Sequence, residues 1–306
     1  PYIVNVRQSG QFDRGPAAVQ VPVSGAEVRI FDDTGNSEVL LEGDKQGEYR
    51  SPASGMQGEV GKSYYVEVTL PDGTVYASQP ERINPVPEID SLSFQETFQE
   101  TLTGNGNVLE IPVVQLFAHT SLSSDELTFL RWRAFGEYEF VESSRFVPFP
   151  PGPKSCYVKE NIDFDQVFIF SNEDTDGSFS LEQLLVEERI DDRFSFKYSF
   201  FVEQYSITEN AYRFWQAVER EFQRSGDLFE PPPALIQGNF INKNDPTEIV
   251  LGYFSASAVS NDRIFITSAD LREDGVPCAR RFGAPQACTE CLVLSNSTTE
   301  RPPYWE

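Results

Sequence analysis

The residues able to bind or react sit in a few short stretches, and SNEDTDGSFSLEQ, residues 171–183, is the most acidic of them. With Gly177 at the sixth position of a calcium loop, Asn172, Asp174 and Asp176 fall at one, three and five, and Ser178 supplies a carbonyl at seven. Phe179 is the usual hydrophobic that follows. The twelfth position, however, holds Gln183 in place of the bidentate glutamate, and Glu182 misses it by one. FDQVFIF ahead of the loop reads as a strand, where an EF-hand needs a helix. The leading reading is a solvated acidic turn between two strands. The alternative is a looser structural calcium held by Asn172, Asp174, Asp176 and Ser178.

Nucleophilic chemistry has little to draw on. His119, the single histidine, stands in LFAHTSL at the end of a strand, and no GxSxG elbow presents a serine to it. There is no HExxH, no glycine-rich phosphate loop and no GxGxxG. Two carboxylates suffice for glycoside hydrolysis, and 48 acids neither support nor exclude that reading. No catalytic residue is assigned, and His119 is read as structural.

The four cysteines are Cys156, Cys278, Cys288 and Cys291. Cys288 and Cys291 form a CxxC, but zinc would require a second such pair or two histidines nearby. CTECLVLSNSTT also lacks the strand-then-helix frame of a thioredoxin-like motif. Two disulfides are expected, and with them an oxidising compartment. Four cysteines allow three pairings, among which the sequence does not choose.

The 306 residues carry 48 acids against 24 bases, a formal net charge of −24. Nucleic acid and anionic membrane surfaces would repel such a chain, and the charge favours solubility. No run of about 18 apolar residues exists to span a bilayer as a helix. The sequence opens PYIVNV, already strand-like, so processing or a missing leader is expected.

The chain is long enough for two domains, and 25 Phe and 12 Tyr lean it towards β structure. The overall expectation is a mainly β protein: an N-terminal immunoglobulin-like β-sandwich, then a larger β-rich domain with one amphipathic helix. In VSGAEVRIFDDTGN, Ala26, Val28 and Ile30 share one face; SEVLLEG and GEYRSP follow as strands. KSYYVEVTLPDGTVYAS is a hairpin turning at Pro71-Asp72-Gly73. Repeated short strands of this kind suggest the sandwich for residues 1–87, and INPVPEIDSL reads as the linker. Residues 88–306 form the second domain. Its strands are VLEIPVVQLFAH, FLRWRAFGEYEFV, QVFIFS, a long RFSFKYSFFVEQYSI with Phe194, Phe196, Tyr198 and Phe200 on one side, Val250–Val259 and Arg263–Thr267. A helix is predicted near 207–224, with Ser206 and Glu209 as a capping box and Ala211, Phe214, Trp215, Val218 and Phe222 as its apolar stripe. Arg224 and Gly226 close it.

FVPFPPGPKSCY (146–157) and LFEPPPALI (228–236) combine rigid proline with aromatics. Such segments suit docking as well as stiff connection, so Phe229, Pro231, Pro232 and Pro233 are partner-binding candidates.

The order of VSGAEVRIFDDTG, GEYRSP, GKSYYVEVTLPDGTVYAS, ENAYRFWQAVE, GDLFEPPPALIQGNF, EIVLGYFSAS and CTECLVLSNSTTERPPYW resembles a family of Bacteroidota outer-membrane lipoproteins known only as a domain of unknown function (four-two-four-nine). The resemblance runs over nearly the whole chain. It supplies no catalytic residue. It implies lipid anchoring in the outer membrane, on the cell-surface or periplasmic face, and genes neighbouring those of TonB-dependent transporters. The anchor itself is not in this sequence, which has no cysteine before Cys156. Asp90-Ser91-Leu92 is similar to the O-glycosylation sequon of such exported proteins, which would place a glycan on Ser91. Asn296-Ser297-Thr298 matches an N-glycosylation sequon, relevant only in a eukaryotic host. The function expected is a non-enzymatic accessory or binding subunit, partnered with an outer-membrane β-barrel of the TonB-dependent transporter type or another envelope protein. A surface hydrolase acting on glycans or peptides through acidic residues is the alternative.

Overall fold

The computed structural model describes residues 2–9, 20–123, 126–147, 149–162, 166–175, 177–223, 235–272, 278 and 285–305. In chain order its strands are β1 Ile3–Asn5, β2 Arg7–Ser9, β3 Gln20–Pro22, β4 Glu27–Asp32, β5 Ser37–Glu42, β6 Glu48–Arg50, β7 Ser63–Thr69, β8 Val75–Ser78 and β9 Glu81–Arg82. Then come β10 Ser91–Leu102, β11 Val108–Leu122, β12 Phe129–Val141, β13 Ser155–Asn161, β14 Phe168–Ser171, β15 Phe179–Arg189 and β16 Lys197–Ser206. The helix α1 spans Glu209–Phe222, and β17 Phe240–Asn242, β18 Val259–Thr267 and β19 Ser297–Thr298 complete the set. The protein is mainly β with one α-helix among the described residues, as its Phe, Tyr and Val content dictates.

The N-terminal strands follow one hydrogen-bonded path, β1-β6-β5-β4-β7-β8-β17, with β9 also on β7. Period-2 alternation sets its core: Val28 and Ile30 on β4 and Tyr64, Val66 and Val68 on β7 point inward with Leu40 and Tyr49. The β7–β8 hairpin turns where expected, with the Gly73 N–H donating to the Leu70 carbonyl at 2.9 Å. Gly73 has φ +89°, a backbone state that a side chain would oppose. The last strand of this path, β17, comes from residues far beyond 87. Phe254, Ala256 and Ala258 pack against the same core. The N-terminal core is therefore completed by a return segment of the later chain.

The later strands form a three-stranded sheet, β10-β11-β15, and a six-stranded one, β18-β16-β12-β13-β19, with β14 alongside β12. Leu116, Val114, Leu185, Leu130, Trp132, Tyr198 and Phe200 fill one buried cluster that draws on both. Within it, Gln204 accepts from the Thr120 hydroxyl and the Trp132 indole, each at 2.8 Å, and donates to the Pro87 carbonyl at 2.7 Å. The Pro85–Pro87 segment is thus fastened to the second core, since a buried amide must find partners.

Three sequence expectations change. The hydroxyl that caps α1 belongs to Thr208, which accepts from Ala211 N–H; Ser206 instead closes β16 and donates to the Asn84 carbonyl at 2.6 Å. Residues 250–258 form no strand, and β18 begins at Val259. Here Asn239 is paired by its side chain with both the N–H and the carbonyl of Phe254, a local substitute for a ladder. The long aromatic strand is broken by a 3-10 turn at Asp192–Phe194, so Phe194, Tyr198 and Phe200 are buried while Phe196 is 42% exposed. Helix α1 ends at Phe222; Arg224 and Gly226, expected to close it, lie outside the described residues.

The tail is held as its cysteines suggest. Cys156 on β13 joins Cys291, and Cys278 joins Cys288. Beyond them β19 pairs with β13, and Trp305 folds back against Tyr157 and Phe265 at centroid distances of 5.3 Å each.

Candidate functional site

The residues that the sequence grouped around calcium are in part described. Asn172 is buried, its side-chain oxygen accepting from the Thr128 N–H at 2.7 Å and its nitrogen donating to the Ser123 and Glu126 carbonyls. That side chain staples the loop before β12. Asp174 and Ser178 are exposed, and Asp176 lies outside the described residues. The stretch does connect two strands, β14 and β15. Phe229, Pro231, Pro232 and Pro233 also lie outside the described residues. Of the other proline-rich segment, Phe149 is 78% exposed. Ser91 is exposed at the first position of β10.

His119 has partners that the sequence did not suggest. Its Nε2 is 2.7 Å from the Ser93 hydroxyl, and its Nδ1 is 3.7 Å from Glu182. The order serine, histidine, carboxylate is that of a hydrolytic triad. The setting is different. Ser93 lies in the regular run of β10, and parallel polar rungs flank the trio: Gln95 to Gln115 to Glu187 on one side, Ser121 to Asp90 on the other. Cross-strand pairing of residues facing solvent accounts for all three rungs.

A surface of another kind lies farther along the same sheet. β10 and β11 pair without interruption from Ser91 opposite His119 to Leu102 opposite Val108. β15 accompanies β11 only from Val113 onward, and the Ile190 N–H to the Pro112 carbonyl is the last bond of that side. Residues 98–111 therefore run on as a two-stranded ribbon. Its turn is closed by reciprocal bonds between Thr103 and Asn107, with Gly106 at φ +78°. The ribbon exposes Phe98 (53%), Leu102 (73%), Val108 (58%) and Leu109 (51%). Phe98, Leu102 and Val108 share one face with Glu100 and Glu110, which stand directly opposite each other. An isolated pair of strands is marginal in water, and clustered exposed apolar side chains mark contact surfaces. The signal in the sequence is Asn105-Gly106 between two apolar-flanked runs, which sequence reasoning did not use.

The return segment and the helix meet at a buried acid. Glu81 on β9 is 2% exposed and accepts hydrogen bonds from the Thr208 and Tyr253 hydroxyls, both at 2.5 Å. Burial pushes its carboxyl above the ordinary value, opposed in part by those donors. Arg131 lies 3.8 Å over the Trp215 ring of α1, and burial lowers its guanidinium to about 10. These contacts fix α1 against both the N-terminal sheet and β12.

No helix among the described residues is long and apolar enough to cross a membrane. No curated protein and no solved structure matches the chain. A family model does match, over residues 1–263, so the cysteines at 278, 288 and 291 and the tail lie past the matched range. That match covers most of the 306 residues, and the chain belongs to the family described as a domain of unknown function, DUF4249.

Proposed function

We propose that this protein is a non-enzymatic accessory or binding subunit of the cell envelope, lipid-anchored at the outer membrane and docked to a β-barrel of the TonB-dependent transporter type. The observation that carries the reading is the β10–β11 ribbon, which no third strand accompanies among the described residues. It projects Phe98, Leu102, Val108 and Leu109 from a disulfide-bonded body. A ribbon of this kind gains by being covered, because burial of each large apolar side chain is worth about 1.5–3 kcal/mol. The disulfides support an oxidising compartment, and the net charge of −24 makes a proteinaceous partner a better fit than nucleic acid or an anionic lipid surface.

Affinity purification of the full chain from detergent-solubilised outer membranes of a bacterium that encodes it tests the reading. Recovery of a β-barrel protein in fixed proportion supports it, and recovery of the chain alone counts against it. The second reading, a surface hydrolase using acidic residues, draws on one observation: Glu137, Glu160 and Glu203 line the same concavity. Turnover of a glycan or peptide by the purified chain, abolished by Glu203→Gln, would favour it.

A further inference from the structure

The outer face of the six-stranded sheet carries a groove bordered by the C-terminal tail at Asn296 and Tyr304. Alternation along four adjacent strands builds it. Asn161 on β13, Phe135 on β12, Phe201 on β16 and Arg263 on β18 are successive register partners, so they form one row across the sheet. The next row holds Lys159, Glu137 and Ser199. The rings of Phe135 and Phe201 lie 6.3 Å apart, and the Arg263 guanidinium sits 4.8 Å from the Phe201 ring and 4.0 Å from that of Tyr304. The concavity measures about 510 Å³, within the range of small-molecule sites.

One polar atom in it is left over. Glu137 is 4% exposed; its Oε2 accepts from the Tyr304 hydroxyl at 2.6 Å and lies 3.9 Å from Arg263. Its Oε1 is buried and has no hydrogen-bond partner among the described residues. A buried carboxylate oxygen without a donor is costly, so such atoms are uncommon unless something fills the place. Arg263 is already engaged with Ser199 at 2.6 Å, and Glu203 accepts from the Tyr205 hydroxyl.

The geometry points to this groove as a binding site for a neutral polyhydroxylated ligand, a saccharide. Phe135 and Phe201 offer apolar ring surface beside the guanidinium groups of Arg133 and Arg263, which sit 4.9 Å and 4.8 Å from them, and Glu137 Oε1 accepts from one of its hydroxyls. The mixed charge of the lining, Glu137, Glu160 and Glu203 beside Lys159 and Arg263, favours a ligand without net charge. An anion would meet Glu137 and Glu203, and a cation would meet Arg263 and Lys159. A ligand with many hydroxyls and no charge can donate to the carboxylates and accept from Lys159, Asn161 and Arg263 at once. Tyr304, 39% exposed, covers Glu137, so a ligand that reaches Oε1 must displace it. This site is independent of the ribbon and of the partner proposed to dock there.

Isothermal titration of the full chain tests the proposal. Maltohexaose, cellohexaose, xylohexaose and mannohexaose are the saccharide probes, and glutamate and putrescine are the anionic and cationic ones. The expected result is heat of binding with at least one hexasaccharide, and at least a roughly tenfold weaker association constant in Glu137→Gln and in Phe201→Ala. Absence of binding by all four saccharides, binding that both variants leave unchanged, or binding confined to glutamate or putrescine would overturn it. If Glu137→Gln does not fold, Phe201→Ala decides alone.

Discussion

The Thr208 hydroxyl donates to the buried Glu81 carboxylate at 2.5 Å and accepts the Ala211 N–H of the first helical turn at 3.2 Å. One oxygen thus caps α1 and neutralises part of the burial cost of an acid on the N-terminal sheet. Thr208→Ala removes both functions. Loss of the cap costs about 1 kcal/mol, and withdrawing a donor from a buried carboxylate adds about 1–3 kcal/mol. Chemical denaturation should show a loss of about 2–4 kcal/mol, with Thr208→Ser recovering most of it. Equal stability of Thr208→Ala and the parent would show that the contact carries no weight.

Glu81 makes stability depend on pH in a specified direction. Burial raises its native carboxyl above 4.5, the ordinary glutamate value, so over that window the native state holds more protons than the unfolded one. Stability contributed by this group is then greatest at the acid end and falls as pH rises, levelling off above the native value. Because many other carboxylates titrate nearby, the readout is a difference. The unfolding free energy of the parent minus that of Glu81→Gln should fall as pH rises from about 4.5. A difference that stays flat across this range would refute the raised carboxyl.

The two disulfides should contribute unequally. Cys156 and Cys291 are 135 residues apart, whereas Cys278 and Cys288 are 10 apart. Loop-closure entropy predicts about 5 kcal/mol for the first and about 3 kcal/mol for the second. Paired Cys-to-Ser replacements, compared by denaturant midpoint, should rank in that order. The opposite ranking would mean that the short loop carries contacts of its own.

Trp305 holds the tail on the sheet by ring contacts with Tyr157 and Phe265, and it is 3% exposed. Trp305→Ala should cost about 3–5 kcal/mol. Hydrogen exchange should quicken first at Ser297 and Thr298, whose pairing with β13 depends on that anchor.

Much of this architecture was legible because it follows from local rules. The alternation of Val66, Val68 and Tyr64 and the Pro71-Asp72-Gly73 turn dictate the β7–β8 hairpin without outside help. The apolar spacing from Ala211 dictates α1. What the sequence hid depends on distant partners. Ser206 has the side chain of a cap, but its hydroxyl goes to Asn84, 122 residues earlier. Residues 250–258 read as a strand by composition, yet they are pinned to Asn239 and the N-terminal core. Glu137 looks like any solvated acid of a strand, and only the folded tail, bringing Tyr304 over it, makes it a buried one. The adjoining row of Phe135, Phe201 and Arg263 spans strands far apart in sequence, which no local pattern reports.

The partner reading places its weight on the ribbon, and a double variant there tests it most directly. Leu102 and Leu109 are 73% and 51% exposed, so Leu102→Asp with Leu109→Asp should shift stability by no more than about 1 kcal/mol. Affinity purification of parent and variant from the same solubilised outer membranes then compares recovery of the β-barrel partner. The account predicts a partner with the parent chain and its loss with the variant while Tm stays within about 4 °C of the parent's; equal recovery with both, or no barrel with either, would contradict it.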